Sequence, residues 1–396
     1  MSAVRTTVKR RRTARPVPQP RAGFTLVELM VGLSLGAVVI ASVYTIGVSS
    51  ARHFQEQQRI SQLQLATRIA LDRIRRDVSL AGFGASPDSD SERACGRVAG
   101  VPRVVGVSIT DRVSEGEAAL SALAGASEAG VQSDSLRLAG NFDTGDVYLV
   151  RDYSGVTINL QTNWQGFRRS FMADPDGTSI DATLFAEVFA RGRLVHISHP
   201  TGGHIFAVIS SSNADPSGTM ASISLEGSLP SCVDVCLGCT IAPVSGIEYL
   251  IAPAAGRFVA SNAAITGVNT VLVRREFSLV TGLPIAGTPR TILEWAIDFD
   301  ADLFIDTAPL GGLPDVRRFD DALAAANAAA SPGRIRSVAV SVSARTPEQD
   351  DHFPWVTPIA GAPLTRFRAY TDRDGASRVR TARAEIMLPS IAYRGL

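Results

Sequence analysis

The spacing of apolar positions changes twice along the chain. From Phe24 to Val48 they are nearly continuous, 25 residues whose ionisable groups are Glu28 and the phenol of Tyr44. From about residue 52 to 81 they recur every third or fourth position, with Ile60, Leu63, Thr67, Leu71, Ile74, Val78 and Ala81 on one stripe. Beyond residue 85 they alternate in short runs broken by Gly, Pro, Asp and Ser.

Each regime predicts an element. A helix rises ~1.5 Å per residue and needs roughly 20 apolar residues to cross hydrocarbon, so the first stretch spans a membrane. Its anchoring side chains are Phe24, Leu26, Val27, Leu29, Val31, Leu33, Leu35, Val38, Val39 and Ile40. No proline falls between Arg21 and Ser86, and Gly82, Gly84 and Pro87 then stop the helix. One helix of roughly 57 residues, ~85 Å long, is expected, its second half amphipathic. Arg59, Gln62, Arg73, Arg76 and Asp77 lie off the stripe. Asp72 with Arg76 and Arg73 with Asp77 form i,i+4 pairs.

The alternating regime predicts strands at "PRVVGVSIT", "DSLRLAG", "DVYLV", "VTINL", "RLVHISH", "HIFAVIS", "MASISLE" and "IEYLIAP". Longer antiparallel strands are expected at "TVLVRREFSLV", "TILEWAIDFD", "RIRSVAVSVSART" and "RVRTARAEIMLP", with Val338, Val340 and Val342 on one face of the third. "DDALAAANAAA" is a short helix or a connector. The resulting organisation is a basic leader (1–23), a transmembrane half-helix (24–48), an amphipathic half-helix (49–84) and an α+β, β-rich globular head (85–396).

Charge sharpens this picture. The formal net charge is +1, yet residues 1–23 carry Arg5, Lys9, Arg10, Arg11, Arg12, Arg15 and Arg21 and no acid. Seven of the 39 Lys and Arg residues lie there, leaving 32 to face all 38 Asp and Glu. A mildly acidic body argues against nucleic acid as a partner. Positive charge beside an apolar span stays cytoplasmic, which places the head outside the cytoplasm, on a single-pass anchor in the inner (cytoplasmic) membrane.

The leader differs from an ordinary cleaved signal, because its small residues, Ala22-Gly23, precede the apolar run. Cleavage there leaves the whole helix on the mature chain. "GFTLVE", Gly23 to Glu28, resembles the class III signal of type IV pilins and type II secretion pseudopilins. The resemblance implies cleavage between Gly23 and Phe24 by the membrane aspartyl prepilin peptidase, N-methylation of Phe24, and a pilin-like lollipop fold. It also gives Glu28 a role. An ionised group in the bilayer centre costs on the order of 2.5–3.5 kcal/mol and needs a partner. Cleavage creates a cationic amine four residues away, and in a filament the carboxylate of an incoming subunit meets the amine of a neighbour, which makes Glu28 the assembly residue.

The C-terminal order is similar to that of PilW-type minor pilins: "RRE" at Arg274-Arg275-Glu276, "EWAIDFD" from Glu294 to Asp300, the Arg-Ile-Arg-Ser-Val-Ala-Val strand, and "TARAEIMLPSIAYR". This resemblance implies a low-copy subunit of a type IV pilus that helps prime assembly near the tip, with other pilins and minor pilins, a tip adhesin, and membrane lipid before assembly as partners. Its location is the membrane, then the pilus filament or tip. A type II secretion pseudopilin is the alternative. Residues 95–270 resemble no named family.

Four cysteines, Cys95, Cys232, Cys236 and Cys239, leave three readings. "CVDVCLGC" has the spacing of an iron–sulfur triad, or of three zinc ligands with Cys95 as a fourth, and either makes the chain a membrane-anchored metal or iron–sulfur enzyme. Both need reduced thiols, and a head outside the cytoplasm favours two disulfides, one of them tying Cys95 to the 232–239 loop. His196, His199 and His204 cluster in "HISHPTGGH"; a hairpin turn at 200–203 would set His199 against His204, with His196 on the opposite face. Asp298, Asp300, Asp302 and Asp306 fall at calcium-loop offsets, although Leu303 and Pro309 stand where such a loop has Gly and Glu. Nucleophile-elbow, zincin, Walker and dinucleotide motifs are missing, so neither an enzymatic activity nor a cofactor is expected.

Overall fold

A computed structural model of the chain describes residues 23–85, 101, 103–174, 176–200, 203–230, 238–254, 269–308, 313–319, 332–359, 362–370 and 374–392. The chain divides into two units, Met1–Gln58 and Arg59–Leu396, a boundary inside the stretch expected to be the amphipathic half-helix. Helix α1, Leu26–Leu80, runs 55 residues and contributes to both.

In the first unit most apolar side chains of α1 are exposed, Leu26 at 74% and Ile40 at 71%. Hydroxyls along this stretch are satisfied inside the helix, as hydrocarbon demands. Ser34 donates to the Val31 carbonyl, Ser42 to that of Val38 and Thr45 to that of Ser42.

In the second unit α1 is one-sided. Leu63, Thr67, Leu71, Ile74 and Val78 are buried, as are Ala70 and Asp77, while Ile60 is half-buried. Two expectations are corrected here. Asp77 is on the buried face, not off it, and Asp72 pairs with Arg75 at 3.6 Å rather than with Arg76. Arg73 does lie 4.0 Å from Asp77. The helix ends where Gly82, at φ +82°, turns the chain into a close approach: a Cβ there would collide with the Ile391 side chain.

Among the described residues the strands form two antiparallel sheets. The first contains β1 (Val107–Thr110), β2 (Ser135–Gly140), β3 (Tyr148–Ser154), β4 (Thr157–Leu160), β5 (Leu194–Ser198), β6 (His204–Ala214), β7 (Ala221–Leu225), β8 (Thr240–Pro253), β9 (Thr270–Phe277) and β10 (Arg290–Glu294). Strand β8 organises it. Residues 240–244 pair with β5, and residues 240 and 241 also pair with β3; residues 245–253 pair with β2 and β9. The path β8-β3-β4-β7-β6-β5 returns to β8, so six strands close a barrel, which leaves that part of the sheet without a free edge.

The barrel has its own core. Between β4 and β5 lie α4 (Gln165–Phe171) and α5 (Ala182–Val188), while α2 (Ser114–Ser121) and α3 (Ala126–Ala129) precede β2. Tyr148, Phe167, Phe171, Phe185 and Phe189 are fully buried, and the Phe171 ring lies 5.2 Å from Tyr148, 5.2 Å from Phe167, 5.1 Å from Phe185 and 5.9 Å from Phe189. Such tilted and edge-on contacts add to the area these rings bury. This barrel is the region that resembled no named family.

The second sheet has the order β12 (Val316–Phe319), β11 (Ala296–Asp306), β13 (Ile335–Arg345), β15 (Ser377–Met387) and β14 (Arg366–Phe367). "TILEWAIDFD" is two strands, not one. Trp295 has φ +60° and separates β10 from β11, which belong to different sheets. Val338, Val340 and Val342 share a buried face, as expected, and join one hydrophobic core with Leu63, Leu71, Ile74 and Val78 of α1 and with Leu136, Ile247 and Leu272 of the first sheet. Residues 320–330, the expected helix or connector, lie outside the described residues.

Candidate functional site

Gly23, Phe24 and Thr25 precede the helix, and α1 opens on a side-chain N-cap. The Glu28 amide donates to Thr25 Oγ1 at 3.2 Å, and Thr25 Oγ1 donates to Glu28 Oε2 at 3.5 Å. Thr25 is thus the N-cap and Glu28 the third helical residue, a Thr-x-x-Glu signal present in the sequence but not drawn from it above. The arrangement starts the helix immediately after the Gly23-Phe24 junction. It holds an acid at the positive end of the helix dipole, where a carboxylate is favoured. Glu28 and the apolar surface around it are exposed. What this end of the chain can do is bury itself in lipid, present a peptide bond before an aromatic residue, and offer one carboxylate to a cation.

In the second unit the chemistry is concentrated where α1 meets the first sheet. Tyr249 on β8 and Arg274 on β9 are register partners, and both donate to Asp77 Oδ2, at 2.6 and 2.7 Å. The carboxylate is 5% exposed and the guanidinium side chain 12%. Burial works against the Arg274 cation, but the hydrogen bond and charge of Asp77 more than offset it and raise its pKa. Burial first, then the Asp77 charge, pushes the Tyr249 phenol well up. The phenol therefore stays a donor.

The neighbouring residues of "RRE" serve other contacts. Arg275, on the opposite face of β9, binds Glu248 at 2.7 Å and Glu115 at 2.9 Å, while Arg193 reaches Glu276 at 2.9 Å. Glu248 also accepts from Arg137 at 2.7 Å and Ser135 at 2.8 Å. Its burial is opposed by these hydrogen bonds, which hold its carboxyl below the usual range. This is a row of cross-strand ion pairs, β2 to β8 to β9, built by register.

The histidine expectation is corrected. Ser198 is the register partner of His204, so His196, two residues earlier on the same face, meets His204 diagonally. Their rings stack 5.1 Å apart with Nε2 of His196 3.0 Å from Nδ1 of His204. His199 instead uses its amide to bond the Gly203 carbonyl in the turn.

The calcium-loop expectation is corrected as well. Asp298, Asp300 and Asp302 alternate on strand β11, and a strand cannot wrap its acids around one ion. Asp302 is held by Arg318 at 2.9 Å and Arg383 at 3.3 Å, and Asp306 by Arg336 at 3.1 Å. Asp298 accepts from the Gln132 amide and from Ser343. Burial raises its carboxyl to about 6 against the Gln132 bond, and burial raises Asp134 to about 7 against bonds from Ala301 and Arg112. Among the described residues no group of three His, Cys, Asp or Glu side chains is placed to hold a metal. Cys239 is buried and disulfide-bonded; Cys95, Cys232 and Cys236 lie outside the described residues.

Helix α1 contains a stretch long and apolar enough to cross a membrane, and it starts on a Thr25 cap directly behind the Gly23-Phe24 junction. The family model described as the prokaryotic N-terminal methylation motif matches residues 19–44. The matched segment is the N-terminal signal and anchor; it supports a likeness to type IV pilins and pseudopilins there, and it implies processing by a prepilin peptidase and pilins as partners in general. No curated protein matches the chain. Among solved structures, a type IV-like pilin from Thermus thermophilus is similar at 12% identity, over 53% of this chain and 93% of its own, with a TM-score of 0.18.

Proposed function

We propose that this chain is a PilW-like minor pilin of a type IV pilus, a structural subunit rather than an enzyme. Prepilin peptidase cuts between Gly23 and Phe24, Phe24 is N-methylated, and the mature subunit waits in the inner membrane with its head outside the cytoplasm. Glu28 then recruits it into the fibre by pairing with the amine of a neighbouring subunit, and the large head acts near the tip, where assembly begins.

The observation that supports this most is Glu28 itself, an exposed acid capped into the first turn of an otherwise apolar helix, beside the matched methylation motif. Intact-mass measurement of the membrane-extracted protein tests the processing. Loss of residues 1–23 plus one methyl group is expected with the peptidase present, and full length without it. Sheared fibres test the destination. The chain is expected in them at low copy, and Glu28→Gln is expected to leave the protein in the membrane. If the fibres lack the wild-type chain while its deletion stops protein export and spares piliation, the pseudopilus reading replaces this one.

A further inference from the structure

One buried cation in the second unit has no counter-ion among the described residues. Arg345, the last residue of β13, is fully buried. Its Nη1 donates to the carbonyls of Thr346 at 3.1 Å and Pro347 at 3.0 Å, but Nε and Nη2 have no hydrogen-bond partner. No carboxylate pairs with it among the described residues; instead its guanidinium lies 4.8 Å from the Trp295 ring and 5.8 Å from that of Tyr370. Burial lowers its pKa, against a smaller opposing contribution from the neighbouring Tyr370 hydroxyl. A desolvated, half-bonded guanidinium is a costly thing to keep in a core.

Two further features coincide with it. Arg345 lines a cavity of about 590 Å³, the size of small-molecule sites, whose apolar wall includes Leu63, Ala66, Leu293 and Pro347. The same cavity is lined by Trp295, whose φ of +60° is a strained conformation for so bulky a residue. The Arg345 amide bonds the Trp295 carbonyl at 3.0 Å, so the strained turn and the unpaired cation are held together. Glu348 on the cavity wall is already paired with Arg59 at 2.9 Å, and Glu294 is exposed.

We propose that this cavity binds a small monocarboxylic acid with an apolar stem, its two carboxylate oxygens accepting from Nε and Nη2 of Arg345. The edge formed by those two nitrogens matches a carboxylate side-on. One unpaired cation, in a lining that also holds the carboxylates of Glu294 and Glu348, suits a monoanion better than a phosphate dianion. Both nitrogens are closed to water as the side chains stand, so the acid enters by displacing the half-buried Trp295 ring, and that ring reports its arrival.

The test uses the full chain in non-ionic detergent with Trp164 and Trp355 changed to phenylalanine, leaving Trp295 as the remaining one of three tryptophans. Butanoate, pentanoate and hexanoate are titrated against its emission, with 1-hexanol as the uncharged control. Saturable changes are expected for the acids, each methylene tightening binding about fourfold, as burial of ~0.8 kcal/mol per CH₂ gives. Arg345→Lys, which keeps charge but loses the fork, is expected to weaken hexanoate at least tenfold. Ala66→Phe, which fills the apolar wall and leaves Arg345 intact, is expected to do the same and decides the matter if the arginine variant does not fold. The proposal is overturned if no acid saturates, if 1-hexanol binds as hexanoate does, or if the folded variants bind as tightly as the parent.

Discussion

Replacing Asp77 by alanine removes the one carboxylate that α1 sends into the first sheet at this point. It leaves the Arg274 guanidinium, 12% exposed, and the Tyr249 phenol, fully buried, without their acceptor at 2.7 and 2.6 Å. Breaking a buried pair from one side costs about 3–5 kcal/mol, most of it the penalty of the stranded partner. Arg274→Met strands Asp77 instead and is expected to cost about 3 kcal/mol, somewhat less because Tyr249 still donates and Arg73 stands 4.0 Å away. The double variant strands neither charge, so it is expected to lose at least ~2 kcal/mol less than the sum of the singles. Urea unfolding of the full chain in non-ionic detergent, followed by tryptophan emission, measures all three. A loss under about 1 kcal/mol for Asp77→Ala, or strict additivity in the double variant, refutes the view that this pair is a desolvated lock between helix and sheet.

Three further outcomes follow from other sites. The folded state holds the Asp298 proton more tightly than the unfolded chain does, its pKa having risen from 3.8 to about 6. Its contribution to stability is therefore whole below about pH 4 and lost as pH rises through about 6, so Asp298→Asn is expected to match wild type at pH 4 and exceed it by about 1–2 kcal/mol at pH 7.5 in urea titrations. Phe171→Ala is expected to cost about 3–5 kcal/mol in the barrel core. Hydrogen exchange then rises at Ile158 and Ile223 while Val340, in the other core, stays protected; equal loss at all three contradicts two separate cores. Gly82→Ala forces a side chain to φ +82° and against Ile391, and a drop in midpoint worth about 1–3 kcal/mol is expected, with no drop refuting the close approach.

What could be read directly from the chain is what a solvent boundary imposes. Lipid requires an unbroken apolar run, so the span from Phe24 was visible. Water on one face of a helix imposes a period, so Leu63, Thr67, Leu71, Ile74 and Val78 were found in their places. The same logic failed at Asp77, because an acid was assigned to water by type. Its position did carry a signal, since it lies three residues after Ile74 and seven after Ala70, on the buried side. Strands were legible by alternation, and every segment expected as a strand contains one. Their partners were not legible. The pairing of β5 with β8 that closes the barrel joins residues 194–198 to 240–244, and nothing local records it. Nor did the sequence mark the break in "TILEWAIDFD", where a positive φ falls on tryptophan rather than glycine.

Local preference alone would carry β10 straight into β11, so the turn at Trp295 is imposed from outside its own segment. The contacts that impose it are the bond from the Arg345 amide and the stacking of the indole on the Arg345 guanidinium. The strained residue and the unpaired cation are thus one arrangement, in which each explains the other's position and neither is satisfied by it. Removing the strain with Trp295→Gly is expected to free the backbone while exposing Arg345, so any gain from the relaxed turn is offset by lost packing on the cation. An acid beside that arginine would offset the cost of its unbonded nitrogens. Its absence among the described residues is the reason to look for an acid that arrives from elsewhere.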